Sequence, residues 1–182
     1  TYFYLTNSYY GSDKLYYFDG TNSTLLRSAT SGEFMANLAF VNGYLIFSSK
    51  DPANGLELWK SDGTAAGTAL VEDIFPGAES SYPHYLTDVN GTLFFTADNS
   101  VNGTELWKSD GTVAGTTLVA DIIPGSGTSY PYYLTNVGGT LFFAADNGVN
   151  GRELWKSDGT AAGTLLVTDV NSTDYGQYSS YP

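Results

Sequence analysis

Residues 57–68 read ELWKSDGTAAGT, residues 105–116 read ELWKSDGTVAGT, and residues 153–164 read ELWKSDGTAAGT again. The copies stand 48 residues apart, and roughly three quarters of residues 57–104 recur one period later, which makes the period the unit of the fold. The register reaches upstream, where VNGYLIF at 41–47 fills the slot of VNGTLFF at 89–95. A fainter copy, KLYYFDGT at 14–21, stands in for ELWKSDGT.

One period carries four strand signals with turn chemistry between them. YPHYLTDV at 82–89 is β-prone and runs into Asn90-Gly91, a strong hairpin signal. TLFFTA at 92–97 follows, then a polar loop, the short run from Glu105 to Trp107, the Ser109-Asp110-Gly111-Thr112 turn, TLVADI at 117–122, and Pro124-Gly125. These strands are designated a to d. Leu93, Phe94 and Phe95 are consecutive apolar residues, so strand b is expected to be covered on both faces, as in stacked sheets. Four antiparallel strands per 40–50 residues predict a β-propeller-type array of blades in an all-β chain. A β-solenoid is the competing repeat fold, but its coils are shorter and do not need Asn-Gly hairpins.

Spacing from the aspartate turns sets the blade count. Tyr4 precedes Asp19 by the same interval as Phe143 precedes Asp158, which places residues 2–4 in the strand b slot. The chain thus reads as one repeat domain over residues 1–182. It comprises an incomplete blade at 1–32 holding strands b to d, blades at 33–80, 81–128 and 129–170, and a segment at 171–182 that starts a further blade or closes the array. The unit expected to be missing is strand a of the first blade. An open blade leaves backbone groups unpaired on strand b and invites another strand, from a continuation of the chain in a longer native protein, from its own termini closing a four-bladed ring, or from a neighbouring molecule.

Composition narrows the function. Seven Lys and Arg against 19 Asp and Glu give a net charge of -12, which repels nucleic acid and anionic membranes. The absence of Cys excludes disulfides, thiolate metal sites and thiol nucleophiles. His84 is the single histidine, with Tyr132 in its slot one period on, so the repeats supply no Ser-His-Asp triad and no histidine metal cluster.

The ELWKSDGT copies resemble the ELWxxDGT repeat family, with a match over residues 57–170 and a degenerate one upstream. The resemblance implies secreted or surface-exposed bacterial proteins built as propellers, and it implies no catalytic residue. The turn itself looks like the Asp-box turns of sialidase-type propellers. Asp19-Gly20, Asp62-Gly63, Asp110-Gly111 and Asp158-Gly159 are expected to be structural, Asp accepting hydrogen bonds from backbone N–H groups just ahead and Gly supplying a positive φ.

Glu57, Glu105 and Glu153 recur in identical settings, whereas paired acid and base chemistry needs carboxylates in different environments, so they are expected to bond neighbouring strands or turns. Trp59, Trp107 and Trp155 share their face and suit burial between blades better than a sugar platform. Calcium is the sharper alternative, with Asp98, Asn102 and Glu105, and Asp146, Asn150 and Glu153, offering hard oxygens on Gly-bearing loops; otherwise no cofactor is expected. Non-repeated sequence sits in two Tyr-rich stretches, where Tyr9, Tyr10, Tyr175, Tyr178 and Tyr181 are candidates for a partner or ligand surface. The sequence reads as a non-catalytic extracellular or cell-surface structural or adhesive module that assembles into filaments or oligomers through its open blade. A glycan- or ligand-binding lectin-like propeller is the alternative.

Overall fold

The computed structural model describes residues 2–6, 13–29 and 33–169. Its strands form four antiparallel sheets, each a meander of consecutive strands. The first sheet has three strands, β1 (Tyr2–Thr6), β2 (Lys14–Phe18) and β3 (Ser23–Ser28). The second holds β4 (Met35–Val41), β5 (Tyr44–Asp51), β6 (Gly55–Ser61) and β7 (Ala69–Glu72). The third holds β8 (His84–Val89), β9 (Thr92–Asp98), β10 (Thr104–Ser109) and β11 (Thr117–Ala120). The fourth holds β12 (Tyr132–Val137), β13 (Thr140–Asp146), β14 (Arg152–Ser157) and β15 (Leu165–Thr168). Sheets two to four each run a, b, c, d in order, and the first sheet runs β1-β2-β3 with β1 in the b slot.

Both faces of the central strands are covered. In β9 every residue from Leu93 to Ala97 is buried, which explains why its sequence does not alternate. The second and third sheets pack one face on the sheet before and the other on the sheet after, giving three cores among the described residues. Leu15 and Leu26 meet Met35, Leu45, Phe47 and Trp59 between the first two sheets. Ile46, Leu58 and Val71 meet Leu93, Phe95 and Trp107 between the second and third. Phe94, Leu106 and Val119 meet Leu134, Leu141 and Phe143 between the third and fourth. The a strands β4, β8 and β12 lie beside one another in that order.

Two polar links repeat across these cores. The a–b hairpins use Asn42-Gly43 and Asn90-Gly91, all four residues at positive φ, as the type I′ turn requires. The Asn42 amide donates to the Gly91 carbonyl at 2.6 Å, and Asn90 donates to Gly139 at 3.5 Å. Lys60 Nζ donates to the Gly111 carbonyl at 2.6 Å, and Lys108 Nζ to Gly159 at 2.8 Å. The second and third sheets therefore each grip the aspartate turn of the next.

Strand a is shorter than its sequence suggests. It begins at His84, because Tyr82 adopts φ 51° ahead of Pro83 and leaves the extended region. The ladder then slips between His84 and Thr87 at a bulge, where Tyr85 takes φ 57°; Asn37 and Tyr133 repeat it in the neighbouring sheets at φ 52° and 57°.

Candidate functional site

The aspartate turns join strands c and d and are held by hydrogen bonds among their own polar groups. Asp110 Oδ1 accepts the Thr112 N–H at 2.9 Å and the Thr112 hydroxyl at 2.7 Å. Thr112 Oγ1 in turn accepts the Gly115 N–H at 3.0 Å. The Thr116 hydroxyl donates to the Thr112 carbonyl and meets Ser109 Oγ, which accepts the Gly111 N–H. Gly111 holds φ 86°, and a Cβ on Gly115 would collide with the Asp110 carboxylate, so both glycines of SDGTxAGT have a steric reason. The Asp62-Gly63 and Asp158-Gly159 turns repeat this pattern, and Asp19-Gly20 keeps its core, with Asp19 Oδ1 accepting the N–H groups of Thr21 and Asn22. Hydrogen bonds from the following threonine hold the Asp62, Asp110 and Asp158 carboxyls below the usual range.

Glu57, Glu105 and Glu153 are fully buried. Glu105 Oε1 accepts the Ser129 N–H at 3.0 Å, and Oε2 accepts the Ser129 hydroxyl and the Ile122 N–H. Glu57 does the same with Ser81 and Ile74. Each of these two glutamates clamps the stretch between strand d and the next strand a, a segment with no ladder of its own.

Burial pushes the Glu57 and Glu105 carboxyls up to about 7, against the pull of those donors. The serine hydroxyl can turn from donor to acceptor when the carboxyl is protonated. A folded pKa above the unfolded 4.5 means that the stability these groups contribute is full below pH 4.5 and is lost as pH rises to about 7. The melting temperature is expected to fall between pH 5 and pH 7.5, and Glu105→Gln to flatten part of that slope. A melting temperature that rises over this interval in the parent chain would contradict the assignment.

The acidic loops do not gather the predicted calcium ligands. Asp98 Oδ1 accepts the Ser100 N–H, and Asn102 pairs with Asn99 and with Asp121 Oδ2 at 2.8 Å, while the Glu105 carboxylate points to Ser129. Asp146 and Asn150 repeat this with Gly148, Asn147 and Asp169, and Glu153 is buried on its strand. Among the described residues no group of three or more His, Asp or Glu side chains could hold a metal ion. Asp73, Asp121 and Asp169, one period apart and not singled out from the sequence, each keep a buried Oδ1 without a hydrogen-bond partner. Their signal was the repeat itself, since each occupies the same slot after strand d.

Tyr9, Tyr10, Tyr175, Tyr178 and Tyr181 lie outside the described residues. Aromatic surface occurs instead on the a strands of the third and fourth sheets. Tyr82, His84, Tyr85, Tyr130 and Tyr132 line a pocket of about 360 Å³, with Thr96 and Thr104 on its wall. Tyr130 and Tyr132 stack at 6.2 Å and 9°, Tyr85 meets Tyr132 edge-on, and the Arg152 guanidinium sits 4.5 Å from the Tyr132 ring centre. His84 Nδ1 lies 3.1 Å from the Asn37 amide nitrogen, so the lone histidine takes part in a hydrogen-bonded contact with the second sheet.

A second concavity, a groove of about 590 Å³, runs between β1 and β4 and is lined by Tyr2, Phe3, Leu38, Phe40 and Leu45. Leu38 is 43% exposed there, while Leu134, two periods on, is 9% exposed. The difference has a local cause, because β8 and β12 each have an a strand of the preceding sheet beside them and β4 has none among the described residues.

No protein-family model matches the chain, and a search of curated proteins finds no similar sequence.

Proposed function

We propose that this chain is a non-catalytic structural or adhesive module of β-propeller type, working outside the cell or on its surface. The observation that carries the reading is the use made of the repeated polar groups. The turn aspartates, Glu57, Glu105, Lys60 and Lys108 all bond to backbone, so the charged groups that recur with the period serve the turns, connections and sheet contacts of the fold. The ELWxxDGT resemblance supplies the extracellular placement.

Assembly runs through the open blade. The edge of β1 that no described strand covers and the groove beside it accept an extended segment with the pattern of strand a, whose backbone pairs with β1 and whose leucine fills the slot beside Leu38. A labelled peptide with the sequence of residues 84–90 (HYLTDVN) is expected to bind, to weaken with Leu38→Asp, and to fail when scrambled. Equal binding by the scrambled peptide sinks the strand-completion reading.

The aromatic pocket favours a second reading as a glycan binder. Tyrosine is a poor residue for a positive φ, yet Tyr82, Tyr85, Tyr130 and Tyr133 all hold one at 40–61% exposure, which presents their rings to solvent. Exposed rings stack on the apolar faces of sugars, and the acidic chain favours neutral glycans. Binding on a glycan array that disappears with Tyr132→Ala is expected; a blank array removes this reading.

A further inference from the structure

The two ends of the array carry faces that the interior of the array buries. On the fourth sheet, Val137, Phe142, Leu154 and Val167 occupy the slots of Val89, Phe94, Leu106 and Val119. The third-sheet residues are 6%, 3%, 0% and 4% exposed against the fourth sheet. Their counterparts have no following sheet among the described residues: Val137 is 56% exposed, Val167 42%, and Phe142 and Leu154 are half-buried. Lys156, in the slot of Lys60 and Lys108, is exposed.

The first sheet presents the reciprocal face. Phe3, Leu5, Leu15 and Tyr17 pack onto the second sheet, so the alternation of the strands turns Tyr2, Tyr4 and Tyr16 the other way. They fill the slots of Leu45, Phe47 and Trp59, the side that every later sheet sets against its predecessor. Tyr4 and Tyr16 stack at 5.1 Å and 9°, and Tyr2 is 56% exposed. Beyond them lies the Asp19-Gly20 turn, built like those whose glycine carbonyls receive Lys60 and Lys108.

We infer that the outer face of the fourth sheet docks on the outer face of the first sheet of a second copy of this chain, continuing the interface that already joins one sheet to the next, with Lys156 donating to the Gly20 carbonyl. The occupant follows from continuity: the exposed face is, slot for slot, the one that a neighbouring repeat covers elsewhere in the chain. The one contact that cannot recur is the Asn42 and Asn90 amide link, since Gly138 stands in that slot. Among the described residues the first sheet, built from β1 to β3, has no a–b hairpin at that height to receive it. Because the two faces differ, the contact is head-to-tail, and its repetition yields rings or filaments rather than closed pairs.

This inference rests on the assembly reading above but uses faces rather than the β1 edge. The chain has no cysteine, so Lys156→Cys with Thr21→Cys introduces the only two thiols. Treatment with a short bismaleimide is expected to give a ladder of covalent oligomers on a denaturing gel. Adding Val167→Glu, or separately Val137→Glu, at positions already exposed, is expected to cut the ladder about tenfold, the weight of a modest interface contact. A product at monomer mass with both cysteines consumed would mean that the chain closes on itself, and it overturns the proposal. No cross-linking, or a ladder indifferent to both glutamates, overturns it too. A chain that binds the strand peptide yet gives no ladder removes this inference alone and leaves strand completion standing.

Discussion

Phe95→Ala is expected to destabilise the chain by about 3–5 kcal/mol, because the ring is fully buried and its removal leaves a void between two sheets that pack rigidly. For a chain of this length that moves the thermal midpoint by roughly 10 °C. Phe142→Ala is the informative control. It removes the same ring from the b strand of the last sheet, at a half-buried position whose counterpart Phe94 is buried against the next sheet. Calorimetry of the two variants separates burial between sheets from the intrinsic value of phenylalanine in a strand. Equal losses would mean that the outer face of the fourth sheet is as well covered as the interior.

Glu105→Ala should cost about 3 kcal/mol or more by a different route. It strips the acceptor from the Ser129 N–H, the Ser129 hydroxyl and the Ile122 N–H together, while leaving the apolar cores intact. The damage should be local and visible in amide hydrogen exchange as lost protection at Ile122 and Ser129, with β9 and β10 little changed. Glu105→Gln keeps one acceptor and should lie between the two. Unchanged protection at Ser129 in the alanine variant would show that the connection is held by packing instead.

The contrast between these two sites also explains what the sequence made legible. The a–b turns and the c–d turns depend on residues within a few positions of one another, Asn90-Gly91 and Asp110-Gly111-Thr112 announce them directly, and their return every 48 residues gives the period. Contiguous Leu93, Phe94 and Phe95 likewise betray a strand covered on both faces. The longer links are silent. Glu105 meets Ser129 across 24 residues and Lys60 meets Gly111 across 51, and nothing in a local pattern tells a clamp from a ligand or a surface cation. The calcium reading came from the same blindness, since Asp98, Asn102 and Glu105 are close in sequence but Glu105 is turned into the core. Tyr85 and Tyr133 were hidden for another reason, because a bulge that needs a left-handed residue is normally marked by Gly or Asn, as Asn37 marks it in the second sheet. The aromatic pocket stands where that local preference is broken.

The meander within each sheet has one more consequence. Consecutive strands pair, and among the described residues each sheet packs on its neighbours in chain order, so a pull applied from the first sheet to the fourth passes through the sheets in series rather than being shared among them. Such a chain yields in instalments, one sheet surrendering its length while the others stay folded. A tether built this way lengthens under load before it breaks.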